Sequence, residues 1–446
     1  RCLDYLAGRP DIDAAKFGCT GCSGGGTETS YLMALDDRIA CAAPACYVTT
    51  FDRLIQTIGP QDAEQNIFGQ LAFGMEQTDY LLMRAPRPTL VCATTEDFFD
   101  IRGTWDTMRE AKRFYGLLSA PQCVDVVEAT GKHGIGPLGR RTMVHWMRRW
   151  LAGVDQPVPE TELKYWTEAE LYCTPRGQVL LESGERSVYE FNADLANELA
   201  GSRRARWEQG PPPGIRDEIR RMIAARPSHE LPPRTGRVLG SLARQGYRLE
   251  RLVLEAEGQM PLACLRFVPD QPSGAVALVL DGEGKAVQAV ERTAAGDEAR
   301  ISAVDLARQG TLVLAVDLSG LGETAPGKPS KTLSAEWKEY YLAYLMGRSL
   351  VGLRAAEVWS AARWAIGQHQ PPGKKIILAA LGRAAVPALH AAALEPELFQ
   401  DCRFAGGLES WQSIAGTPCG QHLADTVHGA LRLYDLPDLQ NLIGGS

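Results

Sequence analysis

The chain has 446 residues, which at roughly 150 residues per domain suggests two or three domains, and its 45% hydrophobic and 23% charged residues are ordinary globular composition. Its 47 Lys+Arg against 54 Asp+Glu leave a formal charge of −7, which argues against a nucleic-acid binder with a basic stripe. No apolar run approaches the ~20 residues of a membrane span, and eleven cysteines, an odd number without a repeating frame, argue against a disulfide scaffold.

The chain begins at Arg1, and RCLDYLAGRPDID reads as the middle of a domain. The expectation is a fragment, a processed chain or a permuted one. A missing leader then says nothing about compartment, which stays open, export included.

Residues 1–152 read as alternating helix and strand. Arg1–Ala7 is a short helix. Lys16–Thr20 is a strand running into GCSGGG, followed by a helix over Thr27–Leu35. Pro88–Ala93 is an apolar strand, Trp105–Leu118 an amphipathic helix and Val124–Glu128 another strand. Arg140–Leu151 closes the unit as a helix carrying Trp146 and Trp150. Strands alternating with helices of this length imply a parallel sheet covered on both faces. Residues 153–248 change texture: two prolines in Val154–Pro159, then PPPG at 211–214. Between them LYCTPRGQVLLES reads as strand-turn-strand, and Ile215–Ala225 as a charged helix. This stretch is expected to be a linker and the opening of a second domain. Residues 249–446 return to α/β texture, with buried-type strands at Ala275–Leu280, Thr311–Asp317 and Lys375–Leu381, and a long helix over Leu342–Ile366.

An internal repeat links the two halves. At an offset of 359, Lys16–Gly26 falls on Lys375–Ala385 and Ala34-Leu35 on Ala393-Leu394. Phe68-Gly69-Gln70-Leu71 resembles His428-Gly429-Ala430-Leu431. The expectation is two similar α/β units in tandem, 1–152 and 249–446. The first lacks the strands that should precede its nucleophile, and the second stops before its counterpart of Pro88–Leu151.

Gly21-Cys22-Ser23-Gly24-Gly25 fits G-x-S-x-G, the strand-to-helix elbow of α/β-hydrolases. A serine in a strained turn needs small neighbours, and glycines stand at 21, 24, 25 and 26. The helix N-terminus behind it favours an oxyanion. A plain glycine turn or a phosphate cradle is the competing reading, but a Walker loop needs a lysine that is absent here. A nucleophilic serine needs a base and an orienting acid, in the order Ser, Asp/Glu, His. The loop after Pro88–Ala93 offers Glu96, Asp97 and Asp100. Asp97 is favoured, Asp100 next and Glu96 last, the losers reading as a helix cap or solvated loop. The loop after Val124–Glu128 offers His133, bracketed by Gly131 and Gly134. His145, in the closing helix, reads as structural.

Other signals are weaker. Cys19 and Cys22 match C-x-x-C, but no second Cys/His pair stands at zinc spacing, so buried small side chains are the better account and no metal is expected. In the second unit Gly382 aligns with Ser23, followed by the bulky Arg383, so no acyl transfer is expected there. His390 and His422 read as structural. Asp281–Gly284 reads as a turn, and Asp317–Glu323 lacks the third glycine of a dinucleotide loop. The polar run Gly59–Gly69, with Tyr47, Phe98 and Phe99, reads equally as part of a substrate rim or as a capped surface helix. Arg140-Arg141 and Arg148-Arg149 read as a solvated helix face.

The runs TGCSGGGTETSYLMALDDRIACAAP, TEDFFDI and KHG together resemble the acetyl xylan esterase-like α/β-hydrolases, related to dienelactone hydrolases and prolyl oligopeptidases. The resemblance is specific over residues 1–151 and looser over 249–446. It implies a serine carboxylesterase with Ser23 as nucleophile, His133 as base, Asp97 as acid and the Gly24 N–H as first oxyanion donor. It implies no cofactor, and a small-molecule or carbohydrate ester as substrate rather than nucleic acid or membrane. The oligomeric state is left open. A peptidase of the prolyl oligopeptidase type is the rival enzyme, although no propeller-like repeat is visible. A hydrolase-like binding protein is the non-enzymatic rival.

Overall fold

The computed structural model describes residues 1–290, 302–327, 332–368 and 376–443. They form two compact units, Arg1–Leu171 with Leu345–Gly347, and Tyr172–Tyr344 with Arg348–Ser446. No helix among the described residues is long and apolar enough to cross a membrane.

The first unit holds a four-stranded parallel sheet: β1 (Phe17–Cys22), β2 (Ile39–Ala45), β3 (Thr89–Thr94) and β4 (Val124–Ala129), in that spatial order. β3 is buried along its whole length, as strands covered on both faces are. The helix Pro137–Ala152 covers one face, where Met143 and Trp146 meet Cys41, Ala43, Ala45, Leu90 and Cys92. The helices Gly24–Leu35 and Ile101–Leu117 cover the other, where Met33 and Met108 meet Ala42 and Val91. Fully burying side chains such as Met33, Leu54 and Leu81 contributes about 1.5–3 kcal/mol each. The Gly24–Leu35 helix starts three residues before the expected Thr27, because its first turn begins directly at the elbow.

β2 escapes sequence reading. IACAAPA is built from small residues of weak strand preference, with a proline inside. Pro44 has no N–H to give, and β2 pairs with β3 at Ala42↔Thr89 and Ala45↔Cys92, either side of the intervening Ala43-Pro44. The small side chains let the Gly24–Leu35 helix lie against the strand.

The second unit holds a seven-stranded mixed sheet: β5 (Thr235–Arg244), β6 (Tyr247–Glu255), β7 (Leu262–Pro269), β8 (Val276–Asp281), β9 (Leu312–Val316), β10 (Ile376–Leu381) and β11 (Phe399–Ala405). Their order is β11-β10-β8-β9-β7-β6-β5. β5–β7 form an antiparallel meander and β8–β11 pair in parallel. The sheet is therefore mixed, and strands β5 and β6 reach back into the stretch expected as a linker. Ile215, Ile219 and Ile223 of the expected charged helix (observed Ile215–Met222) pack into this unit's core.

Two expected elements differ, and one helix is new. LYCTPRGQVLLES forms no strand, only single helical turns at Ala169–Leu171 and Val179–Leu181. The helix expected over Leu342–Ile366 is two, Trp337–Leu345 and Leu350–Gly367, broken at Gly347, whose φ of 65° no helix accommodates. A helix over Val188–Trp207 was not expected. It starts at a capping box in which Ser187 accepts the Glu190 N–H and Glu190 accepts the Ser187 N–H. Lys375, the expected start of β10, lies outside the described residues.

The segments aligned at the offset of 359 share some local geometry. Ser23 after β1 has φ 62° and Gly382 after β10 has φ 57°. β1 pairs with β2, and β10 with β11, through a register shift at the aligned positions Phe17/Gly18 and Ile376/Ile377. Gly69 and Gly429 both stand left-handed before a short helical turn.

Candidate active site

Ser23 sits at the tip of β1 and opens the Gly24–Leu35 helix, with φ 62° and ψ −119°. Such a backbone costs about 1–3 kcal/mol and must be held by its surroundings. The Ser23 N–H donates to Ala45 O at 3.0 Å, and Ser23 O accepts from the Thr27 N–H at 2.9 Å and from Thr27 Oγ1 at 3.2 Å. The glycines around it are not equivalent. A Cβ on Gly21 would lie 2.4 Å from Gly25 O, and one on Gly26 2.3 Å from Ala45 O. A Cβ on Gly25 would meet nothing within 4 Å. Positions 21 and 26 therefore require glycine, and 25 does not.

Asp97 and His133 lie in the loops after β3 and β4. These loops are stitched together by the Thr95 N–H on Ala129 O at 3.0 Å and the Glu96 N–H on Gly131 O at 2.9 Å. His133 Nδ1 lies 2.9 Å from Asp97 Oδ1 and 3.1 Å from Oδ2. The Asp97 side chain is 1% exposed and that of His133 24%. Asp97 also accepts from Thr94 Oγ1 and from the Phe99 N–H, both at 3.2 Å. A carboxylate so placed holds the proton on Nδ1 and leaves Nε2 as the acceptor. Phe98 stacks on the imidazole at 4.3 Å and fixes its plane.

A contiguous set of contacts links the Ser23 elbow to this pair. Ala45, which accepts the Ser23 N–H, is followed by Cys46, whose Sγ reaches Gly134 O at 3.5 Å, next to His133. Cys46 is buried, takes φ 52° and donates its N–H to Cys92 O at 2.9 Å. Burial pushes the Cys46 and Cys92 thiols up to about 12. Sequence reading missed Cys46, because no motif spacing marks it. Only the fold brings the end of β2 beside the loop after β4.

The other candidate acids are occupied or remote. Asp100 caps the Ile101–Leu117 helix, accepting the Arg102 N–H at 2.8 Å and pairing with the Arg102 guanidinium at 2.7 Å. That guanidinium holds its carboxyl below the usual range. Glu96 is exposed. His145 pairs with Asp155 on the surface at 2.8 Å.

The expected rim is only partly a surface. Tyr47 and Phe99 are buried, Phe98 is exposed, and within Gly59–Gly69 the residues Gln61, Gln65 and Asn66 are buried. Glu64 in that run is exposed, and its Oε1 would lie 3.1 Å from a Cβ on Gly24. A carboxylate therefore overhangs the first turn behind Ser23. Cys19 and Cys22 are free thiols, and Cys19 Sγ reaches Thr29 Oγ1 at 3.6 Å.

In the second unit, Arg383 beside Gly382 pairs with Glu336, which also holds the buried Arg354 at 3.0 Å. Asp317 pairs with the buried Lys285 at 2.7 Å and accepts the Glu323 N–H at 2.9 Å, filling the loop with an ion pair. Asp281 accepts the Glu283 N–H as a turn residue does. His390 is bonded to Val386 O and the Tyr434 hydroxyl, and His422 lies 3.8 Å from Asp425.

No family model matches the chain. Over 154 residues, 33% of its length, it is 27% identical to YtaP of Bacillus subtilis (strain 168), a protein assigned as a hydrolase, and the match spans half of YtaP's own length. Among solved structures it is similar to a Bacteroides fragilis protein assigned as an acetyl xylan esterase (15% identity, 63% of this chain and 78% of that one, TM-score 0.44). It is also similar to a family 15 glucuronoyl esterase of Caldicellulosiruptor kristjansonii (20% identity, 37% and 51%, TM-score 0.29). A third is acetyl xylan esterase 1 of Thermoanaerobacterium sp. JW/SL YS485 (13% identity, 43% and 57%, TM-score 0.29).

Proposed function

We propose that the first unit carries the site of a serine carboxylesterase, with Ser23 as nucleophile, His133 as base and Asp97 as its orienting acid. The observation that carries this is the Asp97–His133 hydrogen bond of 2.9 Å, past the tips of the last two strands of the sheet whose first strand runs into a serine in a strained elbow. His133 Nε2 takes the Ser23 proton as the hydroxyl attacks an ester carbonyl. The Gly24 N–H, in the unsatisfied first turn of its helix, stabilises the oxyanion. The protonated imidazole then gives its proton to the leaving alcohol, and water repeats the sequence on the acyl-enzyme. Each step uses groups of the chain itself.

The name of YtaP supports hydrolysis. The resemblance of TGCSGGG, TEDFFDI and KHG to acetyl xylan esterase-like enzymes supports an acetyl ester, with a carbohydrate as the alcohol. We further propose that the second unit is a related, non-catalytic one. Glycine stands there at the aligned elbow position, and among the described residues no strand follows β11 to supply an acid and a histidine.

The test is labelling with a fluorophosphonate probe and peptide mapping, alongside hydrolysis of p-nitrophenyl acetate. Ser23 should be the labelled residue, and Ser23→Ala should remove both label and hydrolysis while the far-ultraviolet circular dichroism stays unchanged. Hydrolysis that survives Ser23→Ala sinks the assignment.

A further inference from the structure

We propose that Cys46, Asp97 and His133 form a binding site for a thiophilic divalent cation, Zn²⁺ or Cd²⁺, whose occupation takes the histidine out of use. The three side chains come from different segments: the tip of β2 and the loops after β3 and β4. Their ligand atoms, one sulfur, one carboxylate oxygen and one ring nitrogen, all lie within 4.8 Å of one another. Around a tetrahedral zinc with bonds of about 2.0–2.3 Å, ligand atoms stand roughly 3.3–3.8 Å apart. The trio therefore closes on an ion with side-chain shifts on the order of 1 Å.

The donor set selects the ion. Sulfur with nitrogen and one carboxylate suits Zn²⁺ or Cd²⁺, whereas Mg²⁺ and Ca²⁺ want oxygen throughout. Cys46 is 3% exposed and the Asp97 side chain 1%, so their positions are set by packing, and the partly open His133 leaves the way in. Cys46 Sγ makes a long thiol contact of 3.5 Å to Gly134 O and a second one with the Cys22 thiol, both weak bonds to give up. On binding, the S–H bond breaks, the proton goes to water and the sulfur bonds the metal. The His133 proton moves from Nδ1 to Nε2, Nδ1 and the Asp97 oxygen give their lone pairs to the same ion, and water fills the remaining position.

That the metal binds is independent of the esterase reading, and that it inhibits rests on it. The experiment titrates the full chain with Cd²⁺ and follows the thiolate-to-cadmium charge-transfer absorption. The difference between the native chain and Cys46→Ala cancels exposed thiols such as Cys2 and Cys173. It should show one equivalent of Cd²⁺, competed by Zn²⁺. His133→Ala should weaken that equivalent more than about ten-fold. Zn²⁺ should abolish p-nitrophenyl acetate hydrolysis over the same concentration range. Cys46→Ser, which keeps the side-chain size, serves if the alanine variant fails to fold. A band of equal strength without Cys46, or an affinity indifferent to His133, overturns the proposal. Binding without loss of hydrolysis would leave the metal site standing and sink the catalytic reading.

Discussion

Asp97 Oδ1 and His133 Nδ1 stand 2.9 Å apart across 36 residues of sequence, each at the end of a neighbouring strand of one parallel sheet. Asp97 spends its remaining capacity on Thr94 Oγ1 and the Phe99 N–H, so the carboxylate is aimed before any substrate arrives.

The pair predicts a sharp contrast between neighbouring acids. Asp97→Asn should lower kcat for p-nitrophenyl acetate by about 10⁴, since an amide can hold the wrong tautomer. Asp100→Asn should change kcat less than about three-fold. Its cost should fall on stability, up to about 1 kcal/mol, through the weakened cap and ion pair with Arg102. Steady-state kinetics and urea melts of both variants check this. Equal kinetic losses at the two positions would unseat Asp97.

The elbow glycines predict a second contrast, in stability. Gly26→Ala forces a Cβ onto Ala45 O and should cost about 1–3 kcal/mol or more, with the Ser23 N–H···Ala45 O bond disturbed as well. Gly25→Ala adds a methyl into open space within a helix and should be neutral or stabilise by about 0.4–1 kcal/mol. Chemical denaturation separates the two, and a costly Gly25→Ala would contradict the described elbow.

Glu64 predicts a charge effect. Its carboxylate overhangs the first turn where the oxyanion of the proposed mechanism develops. Two unit charges about 4 Å apart in water interact by about 1 kcal/mol, or about five-fold in rate. Glu64→Gln should therefore raise kcat for p-nitrophenyl acetate by a few-fold at low ionic strength, the gain shrinking as salt is added. A salt-independent change would point to contact rather than charge.

Much of the first unit was legible because its strands and helices alternate with the right periods, and because a serine bracketed by glycines between strand and helix has few other uses. Asp97 and His133 could be placed by counting strands, since their strands, Thr89–Thr94 and Val124–Ala129, are apolar or alternate cleanly. β2 was not legible: Ala, Cys and Pro carry no strand signal, and only the helix lying on it explains its small side chains. The β5–β7 meander was hidden for the opposite reason. Arginines and glutamates alternate with its apolar residues, and the cross-strand pair of Glu250 on β6 with Arg266 on β7 exists only once the strands are side by side. Cys46 was invisible because its meaning lies in proximity, not in spacing.

The second unit supplies a pH prediction. His390 is fully buried, with Nδ1–H donating to Val386 O at 2.7 Å and Nε2 accepting from the Tyr434 hydroxyl at 2.9 Å. Burial lowers its pKa from 6.5 to about 4. The native state therefore holds the neutral ring between those values, while the unfolded state takes up a proton. Stability from this group is present above pH 6.5, falls as pH drops towards 4, and loses nothing further below. The loss between pH 7 and pH 5 should be about 2 kcal/mol. His390→Phe should start lower at pH 7, by about 1–3 kcal/mol, because the Tyr434 hydroxyl loses its partner. Its stability should then be flatter with pH than the native chain's by about that 2 kcal/mol. Urea melts at pH 7 and pH 5 on both proteins give the difference. Parallel slopes would mean that the imidazole is protonated in the folded core, which its contact with Val386 O and the Tyr434 hydroxyl argues against.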